Sequence, residues 1–229
     1  MSQDVAYGRG ITTSSPRQAG CIYGSMAGLV TKEPHMDLAL KRQLEQLADF
    51  GNTNDAAVGK SGTRMLNITP DTGEFLSVLV RATVARRVLE IGTSNAYSTL
   101  WLADAARAIG GAVTTIELAA DKAAMARANI AKAGLGDIIT QIEGEAGTWL
   151  AQAPDASADL VFLDSARSLY LAWWPDLRRV LRAGGLLVVD NASSHAHEMA
   201  DFVEAVKKDA AFTTSLVPVG KGEFLAVKA

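Results

Sequence analysis

The chain has 229 residues, 48% hydrophobic and 21% charged, with a net charge of −3. This composition is ordinary for a soluble globular protein and allows one sizeable core, so a single domain with an extension is expected. The slight acidity and lack of a basic run exclude nucleic acid as an expected partner, and no apolar stretch is long enough to span a membrane.

One cysteine, Cys21, excludes an internal disulfide and fits a reducing compartment. The segment Ala19 to Val30 is mildly apolar after Arg17, but Gly20, Gly24 and Gly28 make it too weak for a signal-peptide core. Gln18-Ala19-Gly20-Cys21 is loosely like a lipoprotein cleavage site, yet no apolar run precedes it. A cytoplasmic location is the expectation.

Residues 1–34 are rich in Gly, Ser and Thr and read as a flexible arm, able to cover a site or a partner's surface. The domain is expected over residues 35–229, with N-terminal helices in 35–86 and an α/β core in 87–229. Met36 to Phe50 places Leu40, Leu44 and Leu47 at helical spacing. Gly51 to Thr63 reads as a polar loop. Asp71 reads as an N-cap for an amphipathic helix carrying Phe75, Leu76, Leu79 and Val80 and ending near Arg86.

From Arg87 the chain alternates. Strands are expected at Arg87–Ile91, Ala112–Glu117, Ile138–Glu143, Ala158–Asp164 and Leu186–Asp190. Helices fall between them, and another runs from about His195 to Lys208. Phe212–Val219 and Glu223–Lys228 flank Gly220-Lys221-Gly222, a hairpin signal. Alternation with short connections predicts a doubly wound, Rossmann-like α/β fold: a seven-stranded sheet with one antiparallel strand and helices on both faces.

The stretch Arg87 to Ser98 (RVLEIGTSNAYS) organises this scheme. A buried strand passes through a Gly turn into a helix, the opening unit of a nucleotide-binding α/β domain. Gly92 has no side chain to keep a ligand away, and the following helix points free N–H groups at the same place. An acidic residue lies at or near the end of every parallel strand: Glu90, Glu117, Glu143 or Glu145, Asp164 and Asp190. Five carboxylates converging on one rim would repel each other, which calls for a ribose, a cationic cofactor or a metal ion there. Glu117 lies about 25 residues after Gly92, where an acid accepts bonds from ribose hydroxyls. Ser94 and Tyr97 occupy the positions of the second and third glycines of G-x-G-x-x-G, which disfavours a dinucleotide.

Glu90-Ile91-Gly92-Thr93 with Tyr97-Ser98, then Glu117, then FLDSARSLY, then VVDN, resembles class I S-adenosylmethionine-dependent methyltransferases. Within them the chain resembles the metal-dependent O-methyltransferases of catechol and caffeoyl-CoA type, from about Ile68 to Ala229. The resemblance implies S-adenosylmethionine contacts at Glu90, Gly92, Ser98, Glu117 and Ala146. Glu117 would hold the ribose, Gly144-Glu145-Ala146 would lie along the adenine, and Tyr97 and Asn67-Ile68-Thr69 would lie near the methionine part. It implies Asp164, Asp190 and Asn191 as ligands of Mg²⁺ or another divalent cation, and a homodimer. Tyr170 matches a tyrosine position of the family and is expected as a structural group or a pocket wall. Trp173 and Trp174 cannot both face the core, so one is expected in a pocket or interface.

One position departs from the family. Its lysine three residues after the first metal Asp, assigned as general base, is Arg167 here. A guanidinium stays protonated, so Arg167 would stabilise a phenolate or bind a carboxylate instead. A bound metal could acidify the hydroxyl unaided, or His195 could serve as base. His197 is expected on the surface. The expected activity is methyl transfer to a hydroxyl of a small, catechol-like acceptor. The alternatives are a metal-independent N- or O-methyltransferase and a non-catalytic module that binds the cofactor.

Overall fold

Strands of a parallel sheet covered on both faces read as nearly continuous apolar runs, and this chain has them. The computed structural model describes residues 36–59 and 63–229. The arm expected over residues 1–34 and Cys21 lie outside the described residues.

Two helices come first, α1 (Leu38–Val58) and α2 (Pro70–Ala82). Then follow β1 (Arg87–Ile91), α3 (Tyr97–Ala108), β2 (Ala112–Glu117), α4 (Ala120–Ala133), β3 (Ile139–Glu143), α5 (Ala146–Gln152) and β4 (Ala158–Leu163). The chain closes with α6 (Tyr170–Val180), β5 (Leu181–Val189), α7 (Ala200–Lys208), β6 (Phe212–Val217) and β7 (Glu223–Lys228). The sheet has seven strands in the order β3-β2-β1-β4-β5-β7-β6. β1 to β5 pair in parallel, and β7 inserts antiparallel between β5 and β6. The single reversed strand is the expected one.

Side chains alternate along each central strand, so neighbours serve opposite cores. Val88, Leu160 and Val188 join Leu44, Leu76 and Leu100 beneath α1 to α4. Leu89, Val161 and Leu187 join Leu150, Leu177 and Phe202 beneath α5 to α7. Each fully buried side chain of this size contributes about 1.5–3 kcal/mol.

Three expectations are corrected. α1 does not stop at Phe50 but runs through Gly51 to Val58. The Asn67 amide donates to the Leu47 carbonyl at 3.0 Å and packs on Gly51, where a Cβ would stand 2.5 Å from its nitrogen. Tertiary packing thus outweighs the weak helix propensity of glycine. Second, Thr69 rather than Asp71 caps α2, with Pro70 at the first helical position, where its missing N–H costs nothing. The Asp71 carboxylate instead accepts the Gly220 amide at 3.0 Å. Third, the strand expected from Leu186 begins earlier. β5 begins at Leu181 and bends through Gly184 at φ +69°, with a register shift against β4 between Ala158 and Leu160.

Candidate functional site

Parallel strands send all their carboxyl ends to one edge, and ligands bind there. A cavity of about 690 Å³ lies along that edge. Every loop following β1 to β5 contributes to its wall, along with Arg64-Met65-Leu66 before α2 and Lys221 from the β6–β7 hairpin. Backbone strain concentrates here: Leu66, Ser94 and Asn191 line the cavity with φ of +54°, +47° and +65°. Non-glycine residues rarely adopt this conformation, and it persists only where the surroundings enforce it.

The first wall is built by β1 and β2. Glu117 Oε2 accepts the Ser94 amide at 2.8 Å and Oε1 accepts the Ala119 amide at 2.9 Å. Two backbone donors therefore fix the carboxylate while each oxygen keeps a free lone pair toward the cavity. Gly144 and Ala146 line the same wall. Glu145 caps α5, accepting the Gly147 amide at 2.8 Å and the Thr148 amide at 2.5 Å, and this holds its carboxyl below the usual range.

The floor is built by β4 and β5. Asp164 follows β4, and Asp190 and Asn191 follow β5. Asp190 is 3% exposed and Asn191 7%. The Asn191 amide nitrogen donates to Asp190 Oδ2 and lies 3.4 Å from Asp164 Oδ1. Burial pushes the Asp164 carboxyl up, and the charges of Asp190 and Glu90 push it further, against the pull of Lys221 and Arg167. Tyr170 lies beneath, fully buried. Its hydroxyl accepts the Ser165 amide at 2.7 Å and donates to the Ser165 carbonyl at 3.2 Å. It fastens the loop that carries Asp164 and does not line the cavity. Trp173 does line it, while Trp174 packs edge-on to Phe202 with centroids 5.8 Å apart.

Of the residues singled out from sequence, Gly92, Glu117, Gly144, Ala146, Asp164, Arg167, Asn191 and His195 line the cavity, with Asp190 directly bonded to Asn191. Four stand behind the wall. Glu90 is fully buried, and its carboxylate accepts the hydroxyls of Ser98 and Thr99 at 2.5 Å and of Thr115 at 2.6 Å. Ser98 is turned toward Glu90, Tyr97 is 3% exposed, and Thr69 donates to Thr72 at 3.0 Å. The expected convergence of five carboxylates is corrected accordingly. Side chains alternate along β1, so Glu90 faces α3 rather than the rim, and Glu143 points outward to Arg127 at 3.4 Å. Glu117, Glu145 and Asp164 reach the cavity. No group of three or more His, Cys, Asp or Glu placed to hold a metal occurs among the described residues. The floor offers two carboxylates and one amide.

Arg167 donates through Nε to Glu198 at 2.7 Å, which occupies one edge of its guanidinium. His195 shares a hydrogen bond between Nδ1 and the Ser194 hydroxyl at 2.8 Å. The sequence reading missed Lys221 and the 64–66 segment. Lys221 stands between two glycines and read only as a turn; its placement depends on a hairpin folding back over β5.

No helix among the described residues is long and apolar enough to cross a membrane. Residues 43–229 match the family model described as O-methyltransferase. The catechol O-methyltransferase of Mycobacterium tuberculosis is 38% identical over 126 residues, 54% of this chain and 56% of that protein. The chain thus spans little more than half of that relative. A candidate O-methyltransferase of Mycolicibacterium vanbaalenii is 32% identical over 211 residues, 83% of this chain and 93% of that protein. The structure is similar to that of the O-methyltransferase TomG from Streptomyces achromogenes, involved in tomaymycin synthesis and solved with S-adenosylmethionine. That match has a TM-score of 0.67 and 26% identity, covering 85% of this chain and 91% of that one. A strand-turn-helix opening at Gly92, a carboxylate held ready at Glu117 and a match over the whole catalytic core lead to one conclusion: the chain belongs to the O-methyltransferase family and is an S-adenosylmethionine-dependent methyltransferase.

Proposed function

We propose that the enzyme methylates a hydroxyl of a small, catechol-like acceptor, with a divalent cation such as Mg²⁺ held by Asp164, Asp190 and Asn191. The observation that carries this reading is the pair of carboxylates with an amide between them at the cavity floor. Two such carboxylates repel each other in so enclosed a place, and a divalent cation balances both charges. Carboxylate and amide oxygens are hard donors suited to Mg²⁺, with positions left for water and acceptor. Asn191 presents its nitrogen to both carboxylates, and turning the amide over brings its oxygen to the same place. When bound, the cation lowers the pKa of the acceptor hydroxyl. The kinship with a catechol O-methyltransferase supports the same acceptor class.

The chain's own groups do the rest. Glu117 offers its remaining lone pairs to the ribose hydroxyls of S-adenosylmethionine, and Gly144 and Ala146 leave a shallow wall for the adenine. Leu169 supplies apolar surface for the acceptor's ring, and Trp173, whose indole nitrogen stands against Gly147, supplies it beside the adenine. Arg167 keeps its proton and stabilises negative charge on the acceptor. His195 Nε2 receives the acceptor's proton while Nδ1 is oriented by Ser194. Holding acceptor oxygen and methyl group in line supplies much of the rate. Two copies are expected to pair through the exposed apolar residues Leu38, Phe50 and Val78 of α1 and α2, and sedimentation measures this.

The test is methyl transfer to catechol, with Mg²⁺ and with EDTA. EDTA, Asp164→Ala and Asp190→Ala are each expected to lower the rate by about a hundredfold or more. Full activity in both variants removes the metal from the reading. His195→Gln should lower kcat by about a hundredfold and leave S-adenosylmethionine affinity intact; unchanged kcat removes His195 as base.

A further inference from the structure

The loop joining β6 to β7 is held from both sides. Asp71 accepts the Gly220 amide at 3.0 Å. The Lys221 carbonyl accepts the Ser193 and Ser194 amides at 3.2 and 3.1 Å, and the Gly222 carbonyl accepts the Ala192 amide at 2.7 Å. Space is equally short. A Cβ at Gly220 would stand 2.1 Å from Thr72 Oγ1, and one at Gly222 would stand 2.0 Å from Ser193 Oγ. Both glycines have positive φ, +55° and +92°. Lys221 is therefore a side chain presented from a backbone that has little freedom to move.

That side chain lines the cavity at its acceptor end, with Asp164, Arg167, Asn191 and His195. The positive charges of Lys221 and Arg167 both pull on Asp164. Their surroundings differ. Glu198 partners Arg167, whereas no carboxylate among the described residues stands within 4 Å of the Lys221 ammonium. Depth differs as well. Asp190 and Asn191 are buried at the floor, and Lys221 is exposed at the rim. A ring whose reacting hydroxyls face the floor turns its opposite substituent toward that rim. There it meets an ammonium with no carboxylate partner among the described residues and the two terminal nitrogens of Arg167, which Glu198 leaves available through its contact at Nε.

We propose that the acceptor carries a carboxylate on the side away from its reacting hydroxyl, and that Lys221, with Arg167, binds it. The enzyme thereby selects anionic catechol-type acceptors over neutral or cationic ones. This rests on the proposed O-methylation of a small hydroxylated ring. A charge pair at a rim open to water discriminates chiefly through like-charge repulsion of the wrong substituent.

The experiment compares 3,4-dihydroxybenzoate, catechol and dopamine on the full-length protein with Mg²⁺. Binding is titrated in the presence of S-adenosylhomocysteine, and kcat/KM is measured with S-adenosylmethionine. The native protein should bind the carboxylate about tenfold more tightly than catechol, with the amine weakest. Lys221→Glu should lower the carboxylate-to-catechol ratio by about tenfold or more and favour the amine. Lys221→Gln should fall between, through KM rather than kcat. Equal affinity for all three acceptors in the native protein overturns the proposal. So does an unchanged ratio in Lys221→Glu with kcat lowered for every acceptor, which would place Lys221 at the reacting oxygen. Methylation of catechol without a carboxylate preference sinks this inference alone. Failure of all three to bind while S-adenosylmethionine binds removes the acceptor class along with it.

Discussion

Gly92 and Asp164 are locked together by lack of space: a Cβ on Gly92 would lie 1.9 Å from the Asp164 carbonyl oxygen. The glycine at the end of β1 is needed first by the neighbouring strand and only then by a ligand. Its φ of +110° also excludes a side chain. Gly92→Ala should therefore displace the loop carrying Asp164 and cost about 3 kcal/mol or more. Urea denaturation reads the stability, and titration with S-adenosylmethionine reads the accompanying loss of affinity. A variant as stable as the native protein would contradict the contact.

Tyr170 secures the same loop from below. Tyr170→Phe keeps the ring and removes both hydroxyl bonds to Ser165, leaving a half-buried amide without its partner. The expected loss is about 1–3 kcal/mol in chemical denaturation. Methyl-transfer rate should fall as well, because Asp164 is next in the chain. Native stability together with native rate would count against the clamp.

Glu90 predicts a pH dependence. Burial pushes its carboxyl up to about 7, against the hydroxyls of Ser98, Thr115 and Thr99 and with the Glu117 charge adding to the rise. The unfolded chain has the ordinary value of 4.5. The folded state holds the proton more tightly, so the stability this group contributes is fully present below about pH 4.5 and is lost as pH rises through about 7. Glu90→Gln should flatten the stability curve between pH 5 and 7.5, measured by urea denaturation at each pH. An unchanged slope would rule out the protonated form.

Asp159 predicts the opposite slope. Burial alone would raise its carboxyl, but hydrogen bonds from Arg87 and Arg182 and the charge of Arg87 outweigh burial and hold it at about 2. The Arg86 and Arg87 amides donate to it at 2.9 and 2.8 Å, which ties the start of β1 to β4. The contribution is present above the unfolded value of 3.8 and is lost as pH falls through about 2. Asp159→Asn should cost about 2 kcal/mol at pH 7 and remove that acid-side loss. Equal stability of variant and native protein at pH 7 and pH 3 would contradict it.

The central sheet was legible because its strands are apolar runs between helical stretches, a pattern that depends on neighbours in sequence. β7 matched its expected limits, Glu223–Lys228, because a Gly-Lys-Gly turn and alternating side chains mark it locally. Gly92, Glu117 and Asp164 were legible as residues of one cavity wall because strand ends in a parallel sheet meet on one edge. The depth of Glu90 was not, since its direction depends on which face of β1 packs on α3. The helical run through Gly51 was hidden too, because it depends on Asn67, far along the chain.

The order and kind of elements, the strand-end acids and the Gly turn are properties of the sequence by itself, because each follows from local periodicity and backbone freedom. Only the tertiary structure decided which acids face the cavity, that Tyr170 fastens the Asp164 loop, and that Lys221 stands at its rim. Those outcomes depend on residues far apart in sequence competing for the same few ångströms, such as the Gly220–Gly222 loop against α2 and the loop after β5.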